Sequence, residues 1–208
     1  SFNQDLSNWD VSNVTNMPYL FMGTAFNYDL SSWDVSSVLI MDGMFLNATS
    51  FNGDISNWNV SNVYQMARMF EGAVSFNQDI SNWDVSSLTN LYETFYAATS
   101  FNQDISGWDV SSVQSMYKTF SDASSFDQDI SSWDVSNVGT MHSMFSGANA
   151  FNQDLSSWDV SNVSILEGIF KNAASFNGNI SNWNVSNVIT LWEAFYGATS
   201  FNQDISGW

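Results

Sequence analysis

The feature that most constrains this chain is a repeat of about 25 residues that runs from one end to the other. A fixed period of this length indicates a stack of similar units rather than a globule. We call the set of equivalent positions in successive repeats a column. One column consists of phenylalanines, at Phe2, Phe26, Phe51, Phe76, Phe101, Phe126, Phe151, Phe176 and Phe201. A tryptophan column keeps the same period at Trp9, Trp33, Trp58, Trp83, Trp108, Trp133, Trp158, Trp183 and Trp208.

The chain holds eight copies of the repeat and the first eight residues of a ninth. Because each unit of a repeat stack touches only its neighbours, we expect every side chain to lie on its counterpart in the next unit. Residues 1–208 are therefore predicted to form one solenoid segment. Neither end carries an atypical repeat, so we expect the segment to belong to a longer array or to stack end to end on copies of itself.

Within one repeat, two patterns predict secondary structure. Asp-Ile-Ser alternates polar and apolar residues, which is typical of a short strand. Met41, Met44, Phe45 and Ala48 have the i, i+3, i+4, i+7 spacing of a helical face. The Ser-Asn and Ser-Ser pairs between these patterns favour corners. We therefore expect short β-strand(s) plus a short helix in each coil.

The run F-N-Q-D-I-S-N-W-D-V-S, followed by N-V-x-x-M-x-x-M-F-x-x-A, resembles the BspA-like leucine-rich-repeat surface proteins of bacteria. The resemblance covers the whole chain. It implies a leucine-rich-repeat-like solenoid, an extracellular or cell-surface location, a role in adhesion or partner binding, and no catalytic residues.

Charge excludes several kinds of partner. Three basic residues stand against 21 acidic ones, and the net charge is −18. This charge repels nucleic acid and anionic membranes, so we expect no nucleic-acid partner. We also expect no membrane insertion, because no apolar stretch approaches about 18 residues. The absence of cysteine excludes disulfides and thiolate metal sites.

The tryptophan column has two interpretations. Exposed indoles could stack on sugar rings, but an unvarying aromatic slot favours continuous core packing. Trp192 stands outside the column, in a slot that varies between repeats. Aromatic residues at this and nearby variable positions of the repeat are the predicted partner-binding residues: Tyr92, Tyr96, Tyr117, Trp192 and Tyr196.

Two aspartate columns also have two interpretations. Like charges about 5 Å apart repel by roughly 1 kcal/mol in water, and calcium between coils would offset this repulsion. Alternatively, each Asp caps a turn through local backbone amides, while solvent and salt screen the charge. The candidate calcium ligands are Asp79, Asp104, Asp129 and Asp154.

Catalysis finds little support in the sequence. The one histidine, His142, is unrepeated, and no phosphate loop, His-Glu-x-x-His motif or nucleophile elbow occurs. We expect a non-enzymatic extracellular surface protein acting as a structural rod, an adhesin or an interaction scaffold, able to form filaments. Its expected partners are a protein or glycan surface or further copies of itself. The alternative is a carbohydrate- or calcium-binding module, with calcium as the sole candidate cofactor.

Overall fold

The structure, a computed structural model, describes residues 2–208 as a stack of coils, one coil per repeat. Backbone groups join consecutive coils, as where the N–H of Phe45 donates to the carbonyl of Met69 at 2.9 Å. Equivalent side chains lie on one another, as Trp58 lies on Trp83 with ring centroids 6.3 Å apart and planes 6° apart. The prediction that each side chain stacks on its counterpart is confirmed.

The predicted leucine-rich-repeat-like solenoid, with strand and helix in each coil, is wrong. Residues 2–208 contain no helix and no extended strand, and hence no helix able to cross a membrane. Regular pairing is limited to isolated parallel bridges. One series joins Asn16, Ile40 and Gln65; the other joins Asn90, Ser115, Thr140, Ile165 and Thr190. Each coil is otherwise a succession of turns.

The helical spacing belongs to a different structure, which we call the turn ladder: residues 116–123 and their equivalents in the other coils. In this segment Lys118 and Asp122 have φ angles of 49° and 57°. A right-handed helix cannot contain such left-handed residues. The same two positions are left-handed in every coil: Tyr19 and Gly23, Gly43 and Asn47, Arg68 and Gly72, Glu93 and Ala97, Ser143 and Gly147, Gly168 and Asn172, Glu193 and Gly197.

Hydrogen bonds in the turn ladder alternate between two directions. The N–H of Lys118 donates to His142 in the next coil at 2.9 Å, whereas that of Thr119 donates to Met116 in its own coil at 3.1 Å. Every backbone N–H from residue 116 to 123 except that of Tyr117 donates in one of these ways. The segment thus satisfies its backbone without a helix.

The predicted strand is replaced by two tight turns. The N–H of Trp108 donates to the carbonyl of Ile105 at 3.1 Å, and that of Val113 donates to Val110 at 2.9 Å. The residue before each turn is an aspartate whose Oδ1 accepts the N–H of the serine two positions later. For Asp104 the donor is Ser106, at 2.9 Å. These local bonds compete with strand pairing.

The core lies between the turns and the turn ladder. Phe95 stacks on Phe101 with centroids 4.1 Å apart and lies 6.1 Å from the ring of Trp108. Trp108 is 3% exposed, and its Nε1 donates to the carbonyl of Ile80 in the preceding coil at 3.1 Å. The core interpretation of the tryptophan column is confirmed from Trp33 to Trp183, whereas Trp9 in the first coil is 57% exposed.

An asparagine column follows the phenylalanines along the stack. The Oδ1 of Asn77 accepts the N–H of Asn102 at 2.9 Å, and Asn102 accepts the N–H of Asp127 at 2.9 Å. The asparagine side chains thus link consecutive coils along the axis of the stack. Asp127 continues it through a carboxylate oxygen, which accepts the N–H of Asn152 at 2.8 Å.

Candidate functional site

The turn ladder carries one surface on which the repeats differ from one another, which we call the variable face. It comprises the second, third and sixth positions of the segment, such as Tyr117, Lys118 and Ser121. All three basic residues of the chain lie on it: Arg68, Lys118 and Lys171. The variable face is therefore chemically unlike the acidic corners of the coils.

An aromatic strip crosses three coils of the variable face. Tyr92 stacks on Tyr117 with centroids 4.7 Å apart, and Tyr117 stacks on His142 at 4.9 Å. Arg68 lies over the free side of Tyr92, with its guanidinium carbon 5.4 Å from the centroid. The rings thus cover one another's faces, and the strip presents ring edges to solvent. Such edges suit hydrogen bonding and edge-on contact better than stacking.

Charged side chains border this strip in a nearly neutral cluster. Buried Glu93 accepts the Arg68 Nε–H at 2.8 Å and lies 3.8 Å from the Lys118 ammonium. Glu71 lies 3.5 Å from Arg68, and its Oε2 is buried with no hydrogen-bond partner among the described residues. Burial, followed by the nearby Glu93 charge, raises the pKa of Glu71. Lys118 also lies over two rings, those of Tyr96 and Tyr117, at 5.5 and 5.2 Å.

The five predicted partner-binding residues do not form one site. Tyr92, Tyr96 and Tyr117 lie together in and beside the aromatic strip. Trp192 and Tyr196 lie three coils beyond Tyr117, where they are 69% and 64% exposed. The Lys171 ammonium lies 5.7 Å from the Tyr196 centroid and pairs with Glu193. The variable face therefore has two separate aromatic areas.

The candidate calcium ligands all serve as turn caps. The oxygens of Asp79, Asp104, Asp129 and Asp154 accept serine N–H groups at 2.8 to 2.9 Å. Donation from the Ser106 N–H lowers the pKa of Asp104. These bonds favour the local-capping interpretation. No group of three or more His, Asp or Glu side chains in residues 2–208 is arranged to hold a metal ion.

Calcium binding by these columns stays a prediction. It implies that removing calcium lowers the melting temperature, because an ion between coils would bind only the folded stack. Thermal melts with and without a chelator measure this effect. An unchanged melting temperature would contradict calcium binding.

Sequence comparison places the chain in a family. The description "Mycoplasma protein of unknown function, DUF285" matches it over residues 1–108, 24–130 and 89–208. The chain belongs to the DUF285 family. The three overlapping matches cover the whole DUF285 chain and confirm a repeat protein, but they give no support to the leucine-rich-repeat family in particular. No curated protein matches the chain.

Sequence reasoning about this DUF285 protein missed the charged half of the site. Arg68, Glu93 and Lys118 complete the variable face, yet only its aromatic members were predicted. A signal was present in the sequence: every Arg and Lys of the chain lies at the same variable positions of the repeat as five of its seven tyrosines. The unrepeated His142 also belongs to this face: it is half-buried against Tyr117, and burial lowers its pKa.

Proposed function

We propose that this protein is a non-enzymatic structural rod and interaction scaffold at the cell surface, and that its variable face binds a protein or glycan partner. One observation carries the proposal: the coils share one network of turns, ladders and stacked rings, while every Arg and Lys and five of the seven tyrosines lie on a single face. Tyr and Arg are enriched at protein interfaces, and a uniform stack supplies a rigid support for them.

The extracellular location is supported by the repeat motif. The F-N-Q-D-I-S-x-W-D-V-S run resembles that of the BspA-like surface proteins, which are typically exported. The net charge of −18 also favours partners that carry basic surfaces, because electrostatic complementarity speeds encounter and suppresses the wrong partners.

The absence of catalysis is supported by the way the titratable groups are arranged. The aspartates are copied from coil to coil, whereas an acid and base pair needs two groups whose surroundings push their pKa values apart. The unrepeated His142 stacks on Tyr117, and its ring has no carboxylate partner in the hydrogen bonds and ion pairs of residues 2–208.

An adhesion assay tests the proposal. Beads coated with the protein are passed over immobilised extracellular-matrix proteins and glycans, beside beads coated with a variant in which Tyr92, Tyr96 and Tyr117 are replaced by serine. We expect retention of the wild-type beads on at least one surface and a loss of more than tenfold in the variant.

The matched control replaces Asn57, Asn82 and Asn182 by serine, the residue that the chain already has at Ser32 in the same corner slot. Its retention should equal that of the wild type, and melting curves should show that both variants fold. The proposed role of the variable face would be contradicted if all three proteins were retained equally. It would also be contradicted if none of them were retained on any surface.

A further inference from the structure

A groove lies on the variable face between Tyr19 of the first coil and Tyr92 of the fourth. Its volume is about 430 Å³, within the range of roughly 300 to 1,000 Å³ that small-molecule sites occupy. The side chains used below line it: Tyr19, Asp42, Ala67, Arg68, Asn90 and Tyr92. The groove contains none of the strip residues beyond Tyr92.

Small residues between two tyrosines create this groove. Of the variable positions in the intervening coils, Gly43 and Ala67 carry no large side chain, whereas Asp42 and Arg68 line the groove. The Tyr19 ring lies over Gly43, where a Cβ atom would meet ring carbons Cδ1 and Cε1 of the tyrosine. Tyr19 is 48% exposed and stacks on no other aromatic ring of residues 2–208, so part of its ring is accessible to a ligand.

The backbone ladder is interrupted at the same place. The bridges join Asn16, Ile40 and Gln65, then begin again at Asn90. In the coils on either side, the equivalent N–H groups of Met41 and Leu91 donate to the next coil at 2.9 and 3.0 Å. The N–H of Met66 and the carbonyl of Asn90 have no such partner among the described residues. Backbone polar groups that are paired elsewhere are therefore left unpaired beside the groove.

The polar side chains of the groove keep bonding capacity for a ligand. Asp42 accepts the Ala67 N–H through Oδ1 at 2.8 Å, which leaves Oδ2 as an acceptor. Asn90 accepts the Tyr92 N–H through Oδ1 at 3.3 Å, which leaves two N–H donors on Nδ2. Arg68 pairs with Glu93 through Nε, and its terminal nitrogens remain available. The groove thus combines one exposed tyrosine ring, an acceptor and two sets of donors.

These groups match the chemistry of a saccharide, which offers an apolar C–H face to a ring and adjacent hydroxyls to donors and acceptors. The charges around the groove favour a neutral saccharide. Glu93 and Glu71 offset Arg68, Asp42 adds a further carboxylate, and the whole chain carries −18, so an anionic sugar would be repelled. A larger concavity of about 710 Å³ near Gln114 has neither an aromatic nor a charged side chain in its lining, and it offers no such match.

We propose that the groove between Tyr19 and Tyr92 binds a neutral saccharide. The inference rests on the proposed binding role of the variable face and names the ligand class of one part of it. The sugar ring lies on the outer face of Tyr19, its hydroxyls donate to Asp42, and they accept from Asn90 and Arg68.

The test begins with the full chain on an array of neutral oligosaccharides built from glucose, galactose, mannose and N-acetylglucosamine, with sialylated and sulfated oligosaccharides beside them. Calorimetric titration with the best neutral binder then compares variants. Tyr19→Ser removes the open ring, and Asn90→Ser removes the amide donors while keeping a residue that the chain accepts at Ser115. We expect each to weaken binding at least tenfold without changing the melting temperature.

The matched control is Tyr64→Ser, because Tyr64 is 41% exposed and lies outside the groove. It should bind like the wild type. The proposal is overturned if no neutral saccharide binds, if only anionic ones bind, or if Tyr19→Ser and Asn90→Ser bind as tightly as Tyr64→Ser. In these cases bead retention that is lost when Tyr92, Tyr96 and Tyr117 are replaced together would still support the proposed scaffold, so the two failures are distinguishable.

Discussion

At the level of single residues, the aspartate columns are defined by an acceptor oxygen rather than by a charge. Asp104 caps its turn through Oδ1, and Asn179 does the same in a later coil, where it accepts the Ser181 N–H at 3.0 Å. In the second column Asn59 likewise accepts both the N–H and the hydroxyl of Ser61. An amide oxygen therefore replaces a carboxylate without loss of the turn.

This equivalence predicts the effects of two substitutions. Asp104→Asn should leave the free energy of unfolding almost unchanged, whereas Asp104→Ala should lower it by about 1 kcal/mol through the lost hydrogen bond. Urea denaturation of both variants measures the difference. If the asparagine variant were as unstable as the alanine variant, the charge itself would be required, and the calcium interpretation would gain support.

Each coil also shows why its secondary structure was misjudged from the sequence. The spacing of Met116, Thr119, Phe120 and Ala123 fits a helix, but successive turns also bring these four side chains into the core. A second pattern in the sequence argues against a helix. Gly, Asn and Asp recur at two positions four residues apart, and these residue types tolerate left-handed angles best. That signal was obscured because Glu, Lys, Arg and Ala occupy the same positions in other coils.

The stacked rings predict the cost of removing one tryptophan. Trp108→Ala should lower the free energy of unfolding by about 3 to 5 kcal/mol, because it leaves a cavity. It also leaves the Ile80 carbonyl without its indole donor. Trp9→Ala, in the exposed end slot of the same column, is the control and should cost far less. Equal losses in the two variants would contradict the packing of the column.

Over the whole molecule, the two kinds of surface differ in how far the sequence could reveal them. Four tyrosines of the variable face were predicted because they lie at the variable positions of an otherwise strict repeat. The groove was not predicted, because Tyr19 and Tyr92 are separated by 73 positions in the sequence. What makes it a groove is the small size of Gly43 and Ala67, together with a break in the backbone ladder, and no local pattern encodes either.

Acid should affect the whole stack in two opposite ways. Burial raises the pKa values of Asp42 and Asp122, as it does that of Glu71, so their protonation should favour folding as the pH falls below neutral. Hydrogen bonds from the capping serines lower the pKa values of aspartates in both aspartate columns, as at Asp79 in the first and Asp109 in the second. Stability from these groups is present above the unfolded pKa of about 3.9 and is lost as the pH falls through their lower folded values.

Urea denaturation across a pH series should therefore show greatest stability in mild acid and a steep loss below about pH 4. Reduced repulsion among the carboxylates adds to the gain on the acid side of neutrality. A steady loss of stability from pH 7 downward would contradict this account of the buried and capping carboxylates.

The central claim is that the coils stack so that each column indole donates to a carbonyl of the coil before it. Hydrogen exchange of the indole N–H groups, followed by NMR, tests this most directly. The indoles of Trp33, Trp58, Trp83, Trp108, Trp133, Trp158 and Trp183 should exchange slowly, because all are buried and hydrogen-bonded. Those of Trp9 and Trp192 should exchange rapidly. Column indoles that exchanged as fast as Trp192 would contradict the stack.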